Sequence, residues 1–193
     1  QAVNLIRESK RPVLYVGGGI VSSGATPELT ELAETMQIPV VTTLMGKGAF
    51  PASHHLNYGP IGMHGSKFAN MIMTESDLII AAGARFSDRG TGKLSEFAPN
   101  AKVIHIDIDP AEIGKVREVR VPIVGDLKGV LGNMVAELAK QAVPPAPASW
   151  VEQADEWRKR FPFYHPGVGD RPDEIVPEIV MSTLSGMLDP EKS

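Results

Sequence analysis

The 193-residue sequence contains no cysteine, which removes disulfide staples, thiolate metal sites and cysteine nucleophiles together. No apolar run approaches the roughly eighteen residues of a membrane span. Basic charge is scarce as well. Lys and Arg number 19 against 23 Asp and Glu, a formal charge of −4 with no basic stripe, which argues against a nucleic-acid binder or a polybasic membrane anchor. The opening residues, Gln1 to Glu8, lack the basic-then-apolar build of a secretory signal and start in the manner of an excised fragment. A cytoplasmic location is the resulting expectation. Internal repeats are missing too. What remains is ordinary globular usage, 42% apolar and 22% charged, with 19 glycines and 16 prolines. That excludes wholesale disorder and suits a fold with many short, shaped turns.

Short apolar runs occupy residues 12–16, 38–42, 77–82, 102–107 and 119–124. They are rich in Val and Ile and nearly continuous instead of alternating, as strands are when a parallel sheet is covered on both faces. Helix-period segments separate them. Leu29, Leu32, Ala33 and Met36 form one stripe, with Thr26 as N-cap and Pro27 at the first helical position. Phe68, Met71 and Ile72 mark a second helix ending near Ser76, and Val130, Leu131, Met134, Val135 and Leu138 mark a third that starts at Leu127. Alternation of this kind predicts right-handed crossovers. The expected fold is α/β, a three-layer Rossmann-like domain with a mostly parallel open sheet flanked by helices, over residues 1–142. A proline-rich linker follows at 143–149, then a helical C-terminal tail at 150–193. In that tail Trp150, Ala154 and Trp157 share one side of a helix, residues 162–171 read as irregular, and Ile175, Ile179, Met181 and Leu184 mark a last amphipathic helix. The tail either wraps around the first domain or begins another.

In an open α/β sheet, ligands sit beyond the carboxyl ends of the strands. The first strand ends in Gly17-Gly18-Gly19, where backbone N–H groups can approach a phosphate. Ser22 stands where a dinucleotide fingerprint has its third glycine, and Thr42-Thr43-Leu44 supplies no acid after the second strand. Both departures count against an ordinary nicotinamide dehydrogenase; a simple tight turn is the bland alternative. More than twenty residues join Thr43 to Ser66, a length usual for functional loops. Gly62-Met63-His64-Gly65 opens the next helix, and His64 either faces an anion or is a surface residue. Arg85, at the third strand end, either grips phosphate or joins Asp88 and Arg89 in an ion-pair cluster. Asp107 and Asp109, two apart, face one way. Asp107 suits ribose hydroxyls, and Asp109 is expected to cap a helix that Pro110 begins. Asp126 caps the last helix or also borders an adenine pocket. These tips suit a nucleotide, but they include no nucleophile and no general base.

The segments Arg11-Pro12-Val13-Leu14-Tyr15-Val16-Gly17-Gly18-Gly19, Thr43-Leu44-Met45-Gly46-Lys47-Gly48, Gly62-Met63-His64-Gly65, Gly83-Ala84-Arg85-Phe86-Ser87-Asp88-Arg89 and His105-Ile106-Asp107-Ile108-Asp109 resemble, in unbroken order, the central domain of the acetolactate synthase family. These are thiamine-diphosphate enzymes. The resemblance implies a three-domain catalytic chain, with thiamine diphosphate and Mg²⁺ held between the first and third domains across a dimer interface. It implies FAD in the middle domain, without a net redox part. The positions it assigns to the flavin are Gly18, Thr43 and Leu44; Ile61, Gly62, Met63 and His64; Gly83, Ala84, Arg85, Phe86 and Ser87; and Asp107, Ile108, Asp126 and Leu127. Asp88 and Arg89 match positions near the access channel to the thiamine, where inhibitors bind. Ser87 replaces an acid found in some members.

The first domain's activating glutamate and the third domain's Mg²⁺-diphosphate stretch are missing from these residues. No catalytic or metal-ligating residue is therefore assigned, and the fragment alone is expected to be inactive. The whole enzyme would condense pyruvate with pyruvate or 2-oxobutanoate in branched-chain amino acid biosynthesis. Its partners would be its own N- and C-terminal domains, further copies of the chain and a small regulatory subunit, with no nucleic acid and no membrane. A structural central domain without a cofactor, in another thiamine-diphosphate enzyme, is the alternative; a nicotinamide-dependent oxidoreductase is a weaker one. Surfaces meant for missing domains should expose apolar side chains such as Phe50, Met63 and Phe86.

Overall fold

Pro-Val-Leu-Tyr-Val forms β1 (Pro12–Val16), and all five side chains are buried, as a strand covered on both faces requires. The computed structural model describes residues 1–162 and 177–188. It divides the chain into two units, residues 1–161 and 162–193. In the first unit the order is α1 (Ala2–Glu8), β1, α2 (Gly18–Ser23), α3 (Thr26–Met36), β2 (Val40–Thr42), β3 (Asn57–Pro60), α4 (Lys67–Glu75), β4 (Leu78–Ala82), α5 (Asp88–Thr91), β5 (Lys102–Asp107), β6 (Val121–Val124), α6 (Leu127–Lys140) and α7 (Ala148–Arg160). Among the described residues the second unit contains α8 (Pro177–Met187), with Met181 and Leu184 exposed. Ile175 and the expected irregular stretch beyond Pro162 lie outside the described residues. No helix described is long and apolar enough to cross a membrane.

The six strands pair in the order β3-β2-β1-β4-β5-β6, and every pairing is parallel. The two faces sort by strand periodicity. Leu14, Val16, Val40, Ile80 and Ile104 pack with Leu29, Leu32, Leu131 and Leu138 of α3 and α6. Val13, Tyr15, Val41, Ile79 and Val103 pack with Phe68 and Ile72 of α4 and with Trp150 and Ala154 of α7. The expected three-layer α/β fold is what the chain adopts. Helix α7 is tied down by more than burial. Trp150 donates its indole N–H to the Pro12 carbonyl (2.9 Å), the Tyr58 hydroxyl donates to Asp155 (2.8 Å), and Arg158 donates to the carbonyls of His55 and Asn57. Of the two expectations for the tail, its first helix follows the one in which the chain wraps back onto the domain.

Several local expectations fail for physical reasons. Asn57-Tyr58-Gly59-Pro60 falls inside the expected long loop but is an edge strand, where a terminal proline is tolerated because it need not donate. The long connection after β2 is therefore broken by a strand. The glycine-rich start of α2 conceals a helix that ends on Gly24 in the left-handed region, φ 63°. Thr26 does not cap α3, because the helix already begins at Thr26 with Ala25 at the N-cap; the Thr26 hydroxyl donates to the Ala49 carbonyl (3.1 Å). No helix follows Pro110; Asp109 closes a turn by accepting the Ala111 N–H (2.9 Å). Phe50 and Phe86 are buried in the domain's own cores, whereas Met63 is exposed.

Candidate functional site

Winding runs outward from β1 to β3 on one side and from β4 to β6 on the other, so the loops leaving β1 and β4 diverge. The crevice at such a reversal is where open α/β sheets take ligands. Here the two turns interlock. Gly17 N–H donates to Ala82 O (3.0 Å) and Gly19 N–H to Gly83 O (3.2 Å). A Cβ on Gly17 would stand 2.0 Å from Gly83 O. Gly83 turns at φ 57°, and a Cβ there would meet Gly19 Cα at 2.7 Å. Both positions exclude any side chain, and among the described residues the adjoining Gly18 N–H makes no backbone hydrogen bond outside its helix.

Over this crossing lies a cavity of about 490 Å³, within the span usual for small-molecule sites. Its wall includes Gly17, Gly18 and Gly19 after β1, Thr43 after β2, Gly83, Arg85 and Ser87 after β4, Asp107 and Ile108 after β5, and Gly125, Asp126 and Leu127 after β6. Arg85 and Asp107 therefore share one hollow. Arg85 is 75% exposed, and its Nε faces Glu112 Oε2 at 3.6 Å. The alternative cluster with Asp88 and Arg89 is not what Arg85 forms among the described residues; Asp88 accepts the Arg89 N–H (2.9 Å). Asp107 accepts the Asp109 N–H through Oδ1 (2.9 Å), and its second oxygen has no partner among the described residues. Asp126 caps α6 by accepting the N–H groups of Lys128 (3.0 Å) and Gly129 (3.3 Å) while it borders the cavity. Thr43 accepts the Gly46 N–H (3.0 Å) and closes a single turn. An anionic acceptor, an unspent amide donor and a cation thus surround a space with an apolar floor. That set suits a ligand carrying vicinal hydroxyls and phosphate.

The remaining assigned residues lie elsewhere. Gly62 and Met63 border a second hollow of about 280 Å³ with Asp88, Arg89 and Lys93. Asn70 holds Gly62 there by bonding both its N–H (2.9 Å) and its carbonyl (3.1 Å). Ile61, Ala84 and Phe86 are core residues, Leu44 is exposed at the surface, and His64 is exposed as well. Met45, Ser22 and Ser23 line the cavity although none of them was assigned to the flavin. Ser22, the position that broke the glycine fingerprint, was the available signal. A hollow of about 570 Å³ beside Lys102 and Arg120 also includes Arg117. The Arg117 guanidinium donates to the carbonyls of Phe97, Ala98 and Ala101 and so braces that turn. Among the described residues no group of three or more His, Cys, Asp and Glu is placed to hold a metal ion.

A parallel sheet wound both ways from a central pair, with its cavity over the central tips, defines a doubly wound α/β domain of the Rossmann type. Comparison with known proteins narrows this. The chain belongs to the family described as thiamine pyrophosphate enzyme, central domain, whose profile matches residues 1–134. It is 49% identical over 192 residues to an acetolactate synthase of Mycobacterium leprae, covering 98% of this chain and 30% of that protein. It is 50% identical over 165 residues to an acetolactate synthase large subunit of Parasynechococcus marenigrum, covering 86% and 27%. A probable acetolactate synthase large subunit of Methanocaldococcus jannaschii is 54% identical over 159 residues, 82% of this chain and 27% of that protein. The chain thus spans less than a third of the length of these relatives.

Proposed function

We propose that this chain is the FAD-binding central domain of an acetolactate synthase catalytic subunit. The observation that carries the reading is the shared cavity of Arg85 and Asp107 at the switch point, together with a Gly18 N–H that has no backbone partner outside its helix among the described residues. In this reading the Asp107 carboxylate accepts from ribose hydroxyls, while the Arg85 guanidinium and the Gly18 amide hold the diphosphate. Bound FAD supplies no net redox step and acts as a structural element. The work of these residues is binding and orientation, and no proton transfer is assigned to them.

In the whole enzyme, thiamine diphosphate and Mg²⁺ lie on the other two domains. There pyruvate is decarboxylated and joined to pyruvate or 2-oxobutanoate, at the head of branched-chain amino acid synthesis. A homo-oligomer, a small regulatory subunit and a cytoplasmic location complete the reading. The test is flavin content. Purified full-length enzyme should be yellow, and Arg85→Ala or Asp107→Asn should weaken FAD binding about tenfold or more, as loss of a charge-assisted bond does. Flavin content unchanged in both variants refutes the site. A colourless wild-type enzyme favours a domain that keeps the fold without a cofactor.

A further inference from the structure

The loop that carries Arg85 is held from below by two side chains that are not among the residues assigned to the flavin. Tyr15 on β1 and His105 on β5 are both register partners of Ala81 on β4. They therefore flank β4 on either side in one row across the sheet. Each reaches past the end of β4 to a different carbonyl of the loop. His105 Nε2 lies 3.1 Å from Ala84 O, and Tyr15 Oη lies 3.3 Å from Arg85 O. A carbonyl can only accept, so the imidazole carries its hydrogen on Nε2. Nδ1 is then a buried lone pair, and it has no partner among the described residues.

His105 is 1% exposed. An apolar side chain of similar size would satisfy the packing without an orphaned acceptor. A buried imidazole in that place thus points to the use made of its other nitrogen. Burial also pushes the Tyr15 phenol up to about 12 and holds His105 below its ordinary value. Both stay neutral donors near neutral pH. Between them they fix two successive peptide units, 84–85 and 85–86, on either side of the Arg85 Cα. The side chain is steadied separately, through the Glu112 contact at Nε.

We infer that Tyr15 and His105 are positioning residues that aim the Arg85 guanidinium into the switch-point cavity, so that they govern affinity for the diphosphate of a dinucleotide without touching it. The inference rests on the flavin reading above. The test uses full-length enzyme stripped of flavin, with FAD and ADP as probes. Tyr15→Phe removes only the hydroxyl, His105→Leu removes the donor, and His105→Gln keeps an N–H at similar reach.

Amide hydrogen exchange across residues 83–88 should quicken in the first two variants, and FAD and ADP should bind about three- to tenfold more weakly. His105→Gln should recover most of the loss. In the double variant His105→Leu/Arg85→Ala, affinity should fall no further than in Arg85→Ala alone, because the two act as one unit. Should His105→Leu fail to fold, Tyr15→Phe carries the same readouts. Unchanged exchange, unchanged affinity despite faster exchange, or additive losses in the double variant each overturn the inference while leaving the flavin reading intact. Wild-type protein that binds neither FAD nor ADP overturns that reading first, and this inference with it.

Discussion

Replacing Gly17 by alanine adds one methyl group at the tightest point of the molecule. The new Cβ would stand 2.0 Å from Gly83 O and 2.6 Å from Ala84 Cα, where ordinary contact begins near 3.4 Å. Both obstacles are backbone, so no rotamer change relieves them. The turns after β1 and β4 would have to part by more than about 1 Å. That movement also stretches the Gly17 N–H bond to Ala82 O, now 3.0 Å. Overpacking costs about 1–3 kcal/mol and a lost hydrogen bond about 1 kcal/mol, together about 2–4 kcal/mol. A domain of this size is stable by only about 5–15 kcal/mol. With a urea dependence of about 2 kcal/mol per molar, the unfolding midpoint should fall by about 1–2 M.

Two further substitutions calibrate the scale. A Cβ on Gly18 meets Met45 O at 3.2 Å, a contact that a small shift relieves, so Gly18→Ala should lower the midpoint only slightly. Gly129, inside α6, has nothing within 4 Å of such a Cβ. Gly129→Ala should therefore stabilise by about 0.5–1 kcal/mol through helix propensity. Urea titrations followed by circular dichroism on the 193-residue chain read all three. If Gly17→Ala unfolds at the wild-type urea concentration, the interlocked turns are not as described, and the steric argument for this site fails.

Other consequences follow from single side chains. Burial holds the His105 imidazole below its ordinary 6.5, with Asp107 and Glu112 pulling the other way. Between the depressed folded value and 6.5 the unfolded chain binds more protons. His105 therefore contributes stability that is present above about pH 6.5 and is lost as pH falls through its lowered folded value. Urea midpoints at pH 8, 6.5 and 5.5 should show a decline that His105→Gln reduces; an identical decline in both proteins would defeat the assignment. Trp150→Ala empties a buried site and frees the Pro12 carbonyl, for about 3–5 kcal/mol. It should open the 143–149 segment to protease, and unaltered digestion would show that α7 is held by something else. Trp150→Phe should cost less, about 1 kcal/mol for the indole hydrogen bond.

The continuous apolar runs mark five strands: for β1, β2, β4 and β5 burial on both faces of a parallel sheet leaves a signature in four or five adjacent residues, whereas β6, an edge strand with only Val121 buried, is marked by its Val and Ile content alone. The sixth, β3, was invisible for the opposite reason. As an edge strand paired on one side it tolerates Asn, Gly and Pro, which leave no apolar run and merge into the long loop. The helix α2 was hidden in the same way by its glycines, which the crossing with β4 requires whatever their helix propensity. Thr26 shows the limit of cap reading. Its hydroxyl has the right chemistry, but the helix starts one residue early, with Ala25 at the cap, and the hydroxyl binds a carbonyl 23 residues away. Phe50 and Phe86 were misplaced at the surface because an aromatic residue in a loop does not announce that the loop folds back over the core.

By itself the sequence determined the chemistry of the strand tips: three glycines, a threonine, an arginine and two aspartates at five successive strand ends. Local pattern is enough for that, since apolar continuity marks where each strand stops. Tertiary structure decided which tips meet. Strand order depends on pairing between segments tens of residues apart, and adjacent positions in a sequence carry no record of it. Only when β1 lies beside β4 do Gly17 and Gly83 interlock, Arg85 and Asp107 share a cavity, and Tyr15 and His105 close on the same loop.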